Sequence, residues 1–572
     1  MNSPSTALDD LRPDLRAAIA GHGLPFAWPE AARGEARRLG GKVKPAEVAQ
    51  RRDLRELPFV TIDGEDAKDF DDAVFARRED SGDWTLFVAI ADVSHYVAAG
   101  GALDMEARER GTSAYFPDFV VPMLPEELSN ELCSLKPRVD RLALACEIRI
   151  ASDGEMLDYS FHETVIHSRA RLTYNQVAAM ALPAGAAGGQ VKRQVKQKTL
   201  KRYEALRGHL DDLHELFKVL RKHRGDSGSI EFETVETRIV LDSDGAVRDI
   251  VTIQRNDAHR LIEECMLCAN VAAARLLQES GLPALYRVHQ GPDEEKLADL
   301  REYLRGLGLT LKGGGKPRPA DYQRLLGQLA GRPDRELLQP LLIRSLSQAV
   351  YQPENIGHFG LNFPGYAHFT SPIRRYPDLL VHRAIRFLIR NRARRKIYPY
   401  NSFAMEELGE ICSAAERRAD AAGYQSVNWL KCEYMRDRVG DEFEGIVSAV
   451  TGFGLFVQLK DFHIDGLVHI SALGDDYYHH DPVQHLLEGE RKRVIYRLGD
   501  LVTVQVISVI PEEQKIELRL AQAGEEAGHG GNGNKKNRNG KRGGRRNGFP
   551  GRGGKRTSPG GARRGPAGRR RR

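Results

Sequence analysis

Apolar positions between residues 51 and 150 come in short runs. Leu57-Pro58-Phe59-Val60-Thr61-Ile62, Ala73-Val74-Phe75, Trp84-Thr85-Leu86-Phe87-Val88-Ala89-Ile90-Ala91 and Leu142-Ala143-Leu144-Ala145-Cys146-Glu147-Ile148 stand between polar stretches. Runs of this length, rich in aliphatic and aromatic residues, predict strands. From about residue 193 the spacing turns helical, with a brief return to strand expected at Ile230-Glu231-Phe232-Glu233. Leu261, Cys265, Cys268 and Ala272 recur at helical intervals, and residues 403–437 read as one long helix. Residues 1–50 are rich in Ala and Arg. Their Pro25-Phe26-Ala27-Trp28-Pro29 segment should lie extended over another element.

The pattern changes at residue 440. Glu444-Gly445-Ile446-Val447, Gly454-Leu455-Phe456-Val457, Gly466-Leu467-Val468, Leu501-Val502-Thr503-Val504 and Ile516-Glu517-Leu518 form five short strands, which suggests a small OB-type barrel. After Leu520 the composition is Gly, Asn and Arg, and a disordered tail is expected. The fold class is therefore an α+β domain followed by an all-β barrel and a basic tail. Its expected divisions are a linker segment (1–50), the α+β domain (51–400), a helical connector (401–439), the barrel (440–520) and the tail (521–572).

Charge changes that picture in one respect. The formal net charge is +6, yet residues 531–572 hold sixteen Lys and Arg and no acid. Without them 69 basic residues face 79 acidic ones, a balance of −10. A basic pole is attached to a mildly acidic body, and a mobile arm for RNA is its expected role. Six scattered cysteines in so long a chain do not form a disulfide framework, and the Cys265/Cys268 pair reads as a helix face. With no signal-peptide pattern at the start and no bilayer-length apolar stretch, the cytoplasm is the expected compartment.

The candidate chemistry is acidic. Six carboxylates occupy ten positions from Asp63 to Asp72, between two predicted strands. Two carboxylates about 4 Å apart repel by roughly 1 kcal/mol even in water. A surface loop disperses such charge; at the mouth of a sheet it calls for a cation. Oxygen donors of this density suit Mg²⁺, or Mn²⁺ in its place. An EF-hand is excluded by the spacing. In the barrel, Phe453, Phe456 and His469 near strand ends, with Lys460 nearby, fit a surface that stacks single-stranded bases.

These motifs resemble two known modules. Gly445-Ile446-Val447, Gly452-Phe453-Gly454-Leu455-Phe456-Val457 and Gly466-Leu467-Val468-His469-Ile470-Ser471 resemble the RNA-binding OB module of the ribosomal S-one type. Leu57 to Val74 is similar to the catalytic motif of the ribonuclease II/ribonuclease R (RNB) family of exoribonucleases. Further matches, in the family's order, are Ile90 to Tyr96, Val121 to Leu124-Pro125, Ile262 to Met266 and Thr370-Ser371-Pro372-Ile373-Arg374-Arg375-Tyr376. The last motif and the basic tail resemble the ribonuclease R branch more than the ribonuclease II branch.

The resemblance implies processive 3′→5′ hydrolysis of RNA to 5′-mononucleotides by a two-metal mechanism. It implies that Asp63, Asp69, Asp71 and Asp72 hold the metals, and that Arg374 joins Asp71 and Asp72 in catalysis by holding the scissile phosphate. Because Asp71 and Asp72 would diverge on a regular strand, a turn or bulge there is expected. Tyr115 would position the terminal nucleotide, Phe232 would sandwich the last bases, and Tyr174 and Glu263 would contact RNA. Helical spacing does not separate Glu263 from Glu264. Glu65 and Asp66 read as solvated. RNA 3′ ends are the implied partner of a monomeric enzyme, with ribosome or degradation-complex contacts through the tail. The family's cold-shock domains have no counterpart before residue 50, so a short form or a downstream start is expected. A different class remains open, an RNA-binding adaptor built on an impaired nuclease fold.

Overall fold

A seven-stranded mixed sheet frames the larger part of the structure. In the computed structural model, which describes residues 8–181, 201–232, 236–253, 255–332, 334–391 and 397–521, its strands lie in the order Arg52–Asp53, Met156–His167, Asp140–Ile150, Trp84–Ala91, Asp72–Arg78, Val60–Asp63 and Ala170–Thr173. The two outermost pairings are parallel and the inner ones antiparallel. The basic tail and the 183–200 stretch lie outside the described residues.

Every residue of Trp84–Ala91 is buried, which explains its unbroken apolar run. Trp84, Leu86, Val88 and Ile90 face one core, packed under the helices Arg207–Ser227 and Asp257–Ser280. Phe87, Ala89 and Ala91 face a second core, built with Leu103, Met123, Leu124 and Leu379. The helix Tyr376–Arg390 contributes to both, through Val381 and Ile385 on one side and Leu379 and Leu380 on the other.

Residues 402–436 form the single long helix the periodicity predicts, capped by the Asn401 side chain, which accepts from the Ala404 amide at 2.8 Å. Ala419 and Ala422 pack against Leu15, Ala18 and Ile19 of the helix Pro13–Gly21, while Leu430, Cys432 and Met435 enter the barrel core. The N-terminal segment is thus more structured than a linker. Its Trp28 does lie over another element, with the Arg110 guanidinium 3.6 Å from the ring centre.

The barrel is closed by the strands Glu442–Thr451, Gly454–Leu459, Ile464–His469, Lys515–Leu520 and Leu501–Ile510, in that spatial order. Gly454 sits at φ +151°, where a Cβ would collide with the Val468 carbonyl, so the second strand can start there only with glycine.

One expectation needs correction. Ile230, Glu231 and Phe232 are not in a strand; the strand runs Glu236–Leu241, paired with Val247–Ile253. Ile230 and Phe232 instead pack against the helices Glu294–Gly306 and Pro319–Leu329, whose leucines take up the apolar side chains that made the segment look like a strand. A three-stranded sheet that the sequence pattern did not predict, Tyr478–Asp481, Leu486–Gly489 and Ile495–Arg497, is inserted in the chain between the barrel strands Ile464–His469 and Leu501–Ile510. Strands this short, mixed with His, Asp and Glu, carry no alternation to read.

Candidate active site

The acidic segment is the connection between the antiparallel neighbours Val60–Asp63 and Asp72–Arg78. Asp72 opens its strand while Asp71 lies just before it, so the two adjacent carboxylates escape the strict alternation of a strand. The connection is held by its main chain. Arg171 donates to the carbonyls of Gly64 at 2.9 Å, Ala67 at 3.4 Å and Glu65. Ser134 Oγ donates to the Lys68 carbonyl at 2.8 Å and accepts from the Phe70 amide at 3.0 Å. The Leu135 amide reaches the Phe70 carbonyl at 2.9 Å, and the Ala91 amide the Asp71 carbonyl at 2.8 Å. Glu65 and Asp66 remain exposed, as solvated acids should.

The segment Thr370–Arg375 meets this loop. The Ile373 amide donates to Asp71 Oδ1 at 2.9 Å, and Arg374 Nε stands 3.7 Å from Asp71 Oδ2. Arg374 also donates to Ser371 Oγ at 2.9 Å, yet 42% of its side chain is open to solvent. Asp378, fully buried, accepts from the Ser371 amide at 2.7 Å and from Arg375 at 2.8 and 2.9 Å, which fixes the turn beneath Arg374. The Arg374 carbonyl accepts from Thr112 Oγ1 and the Ser113 amide, two residues from Tyr115. Arginine and tyrosine are therefore positioned by one short contact.

Burial dominates the electrostatics. It raises the carboxyl pKa of Asp63 and Asp69, pushes Asp71 well above the ordinary value and brings Asp72 up to about 7. Asp63 adds to the rise at Asp72, and Asp69 to that at Asp63 and Asp71, while the Arg374 charge opposes it in all four. Asp72 Oδ2 is buried with no hydrogen-bond partner. Among the described residues, no three His, Cys, Asp or Glu side chains already converge as a metal cage. The fit to a hard divalent cation rests on the all-oxygen donor set, the mutual repulsion and the orphaned Asp72 oxygen.

These groups line one cavity of about 1260 Å³, with Asp63, Asp69, Asp71, Asp72, Tyr115, Tyr174, Glu263 and Arg374 in its wall. Tyr115 is 47% exposed there. Tyr174 stacks on His259, ring centres 3.9 Å apart. Glu263 and Glu264 part company: Glu263 borders the cavity and pairs with Arg255 at 2.8 Å, whereas Glu264 is buried against Arg224 at 2.7 Å. Phe232 is not brought into this wall. Phe453, Phe456 and His469 lie on the barrel. Phe453 is 50% exposed and meets Phe456 edge-on at 6.0 Å, and His469 stands opposite Gly454 in the register. Lys460 is tied to Glu444 at 2.9 Å.

Sequence reasoning missed Arg171, Ser134 and the Asn270–Tyr366 pair. Asn270 donates to the Tyr366 hydroxyl at 2.9 Å in the cavity floor. None of these carries a local signal, because each acts on chain distant in sequence.

Known proteins resemble this chain in sequence and in fold. The family model described as "RNB domain" matches residues 51–391, and that described as "S1 RNA binding domain" matches 436–520. Ribonuclease R of Vibrio parahaemolyticus serotype O3:K6 is 50% identical over 517 residues, which are 89% of this chain and 60% of the relative. Ribonuclease R of Escherichia coli strain K12 is 49% identical over 510 residues, 88% of this chain and 61% of the relative. The chain thus spans about three-fifths of these relatives' length. Mycoplasma genitalium RNase R, solved in complex with ribose-methylated single-stranded RNA, superposes with a TM-score of 0.81 at 27% identity, covering 89% of this chain and 78% of that one.

Proposed function

The chain belongs to the RNB family, and from that membership we propose that it is a metal-dependent exoribonuclease that hydrolyses RNA processively from the 3′ end to 5′-mononucleotides, in RNA turnover and quality control. The observation that carries the reading is the convergence of four aspartates and Arg374 on one cavity beside Tyr115. The adaptor alternative has no observation in its favour, since none of those groups is missing.

In this reading Arg374 holds the scissile phosphate and offsets the charge that develops on it. Asp71 serves twice, as a carboxylate of the centre and as the acceptor that seats the Arg374 turn through the Ile373 amide. Tyr115 stacks the terminal nucleotide; Tyr174 and Glu263 contact the nucleotides beside it. Asp63, Asp69, Asp71 and Asp72 would hold Mg²⁺, or Mn²⁺ in its place. When bound, that pair supplies a water of lowered pKa and positive charge for the leaving oxygen. Phe453, Phe456 and His469 offer rings to single-stranded RNA approaching the barrel. Phe232, set against the helices beside the cavity, fits the sandwich role only if that segment shifts when RNA binds.

Six free cysteines, and no described helix long and apolar enough to cross a membrane, are consistent with a cytoplasmic enzyme. The direct test is purified protein with 5′-labelled single-stranded RNA and Mg²⁺. The expected products are mononucleotides and one short 5′-labelled limit fragment. Internal cuts giving a ladder of unrelated lengths, or intact RNA, would sink the reading.

Tyr115→Ala should lengthen or shorten that limit fragment while slowing turnover of long RNA only modestly. Base stacking is worth roughly 1–3 kcal/mol, which counts most when few nucleotides remain bound. The half-exposed ring contributes little to the core, so the fold should stand. An unchanged limit fragment would remove Tyr115 from the RNA path.

A further inference from the structure

We propose that Arg171 is the positioning residue of the acidic loop, and that by gathering the loop's main chain it sets the site's affinity for divalent cations. The inference rests on the reading of the aspartates as cation ligands. Arg171 stands on the edge strand Ala170–Thr173, opposite Thr61 in a parallel register that also pairs Thr173 with Asp63. From there one terminal nitrogen serves the carbonyls of Gly64, Glu65 and Ala67. The guanidinium lies 5.5 Å from the Phe70 ring centre, so it touches both ends of the connection. It borders the acidic cavity on one side and, on the other, a second cavity of about 1480 Å³ lined by Phe26, Trp28 and Phe119.

Two roles are open to a cation in this place, and they have opposite signs. A mere neighbouring charge repels a divalent ion, so its removal would tighten cation binding. A main-chain clamp keeps Asp63 and Asp69 presented from a loop that six acidic side chains would otherwise push apart, so its removal loosens binding. The three carbonyls decide for the clamp. One planar donor group that collects carbonyls from residues 64, 65 and 67 bends the chain; a bystander would leave them to water. Lysine keeps the charge and has three donors, but its stem ends one bond short of the Nη2 position and offers no planar face to the Phe70 ring, so it does not hold the three carbonyls at once.

The test measures Mn²⁺ capture by the full chain, read from the paramagnetic resonance of the free ion, for wild type, Arg171→Met and Arg171→Lys. Hydrogen exchange of residues 63–72 and thermal unfolding accompany it. Arg171→Met should bind Mn²⁺ about tenfold more weakly, the scale found when groups supporting a metal's ligands are removed. Amides of 63–72 should exchange faster while those of Trp84–Ala91 do not change. Arg171→Lys should remain weakened. Tighter or equal Mn²⁺ binding in the methionine variant, or full rescue by lysine, overturns the clamp. Should the methionine variant fail to fold, the lysine variant decides alone, because its stem still covers Phe70. If wild type captures no Mn²⁺ and leaves RNA intact, the proposal and the exoribonuclease reading fall together. If wild type captures Mn²⁺ and degrades RNA while the Arg171 variants bind Mn²⁺ equally well, only the clamp falls.

Discussion

Asp71→Asn is expected to lower RNA hydrolysis by at least about a hundredfold while RNA binding stays intact or tightens. The residue sits where the acidic loop and the arginine turn meet, 5% exposed, with Oδ1 taken by the Ile373 amide and Oδ2 facing Arg374. Asparagine keeps the shape and can still accept from that amide through its own Oδ1. The turn should therefore stay seated. What is lost is one negative charge for a cation, and transition-state stabilisation by a bound metal amounts to several kcal/mol, about 1.4 kcal/mol per factor of ten in rate. Replacing a crowded, buried carboxylate should not destabilise the fold, since an under-compensated buried charge is itself costly. The check is single-turnover degradation of 5′-labelled RNA at saturating Mg²⁺, beside a filter-binding or anisotropy titration. Wild-type turnover in the variant would mean that the aspartate loop is not the reaction centre. Loss of RNA binding together with hydrolysis would point to a collapsed site.

Arg374 comes next. Arg374→Ala should slow the chemical step by roughly 10²–10³-fold, the effect of removing one preorganised donor to developing charge. The side chain's solvent-open position and its one hydrogen bond to Ser371 make it dispensable for folding. The turn under it is held by Asp378 and Arg375, which the substitution leaves alone. Arg374→Lys discriminates further. A lysine keeps the positive charge that Asp63, Asp69, Asp71 and Asp72 all feel, but it does not offer two parallel donors to a phosphate. Most of the loss should persist in the lysine variant, mainly in the single-turnover rate, with a smaller change in RNA affinity. A lysine variant within twofold of wild type would reduce the role of Arg374 to charge balance. An alanine variant with normal chemistry would remove it from the centre.

How much of this was legible beforehand depends on how local each signal is. Trp84–Ala91 announces itself because both faces of its strand are buried, and 402–436 because a helix of that length repeats its apolar positions many times. The aspartates are legible for a related reason. Like charges so close in sequence, between two strands, stay close in any fold that pairs those strands. Phe232 shows the limit. Ile230 to Glu233 alternates like a strand, but whether such a segment pairs with a neighbouring strand or packs on helices depends on what lies across from it.

The amino-acid order by itself therefore determined four of the seven sheet strands, the long connecting helix, the five barrel strands and the position of the acidic loop, each a matter of neighbours a few residues apart. Tertiary structure alone decided the rest. Helical spacing put Glu263 and Glu264 on equal terms, and only the arrival of Arg224 beside Glu264 and the opening of the cavity beside Glu263 separate them. The donors that shape the acidic loop, Ser134 and Arg171, stand more than sixty residues away along the chain. A hydrogen bond to a main-chain carbonyl asks nothing of the side chain it serves. Such support leaves no pattern in the sequence, and it becomes visible only when the strands are laid side by side.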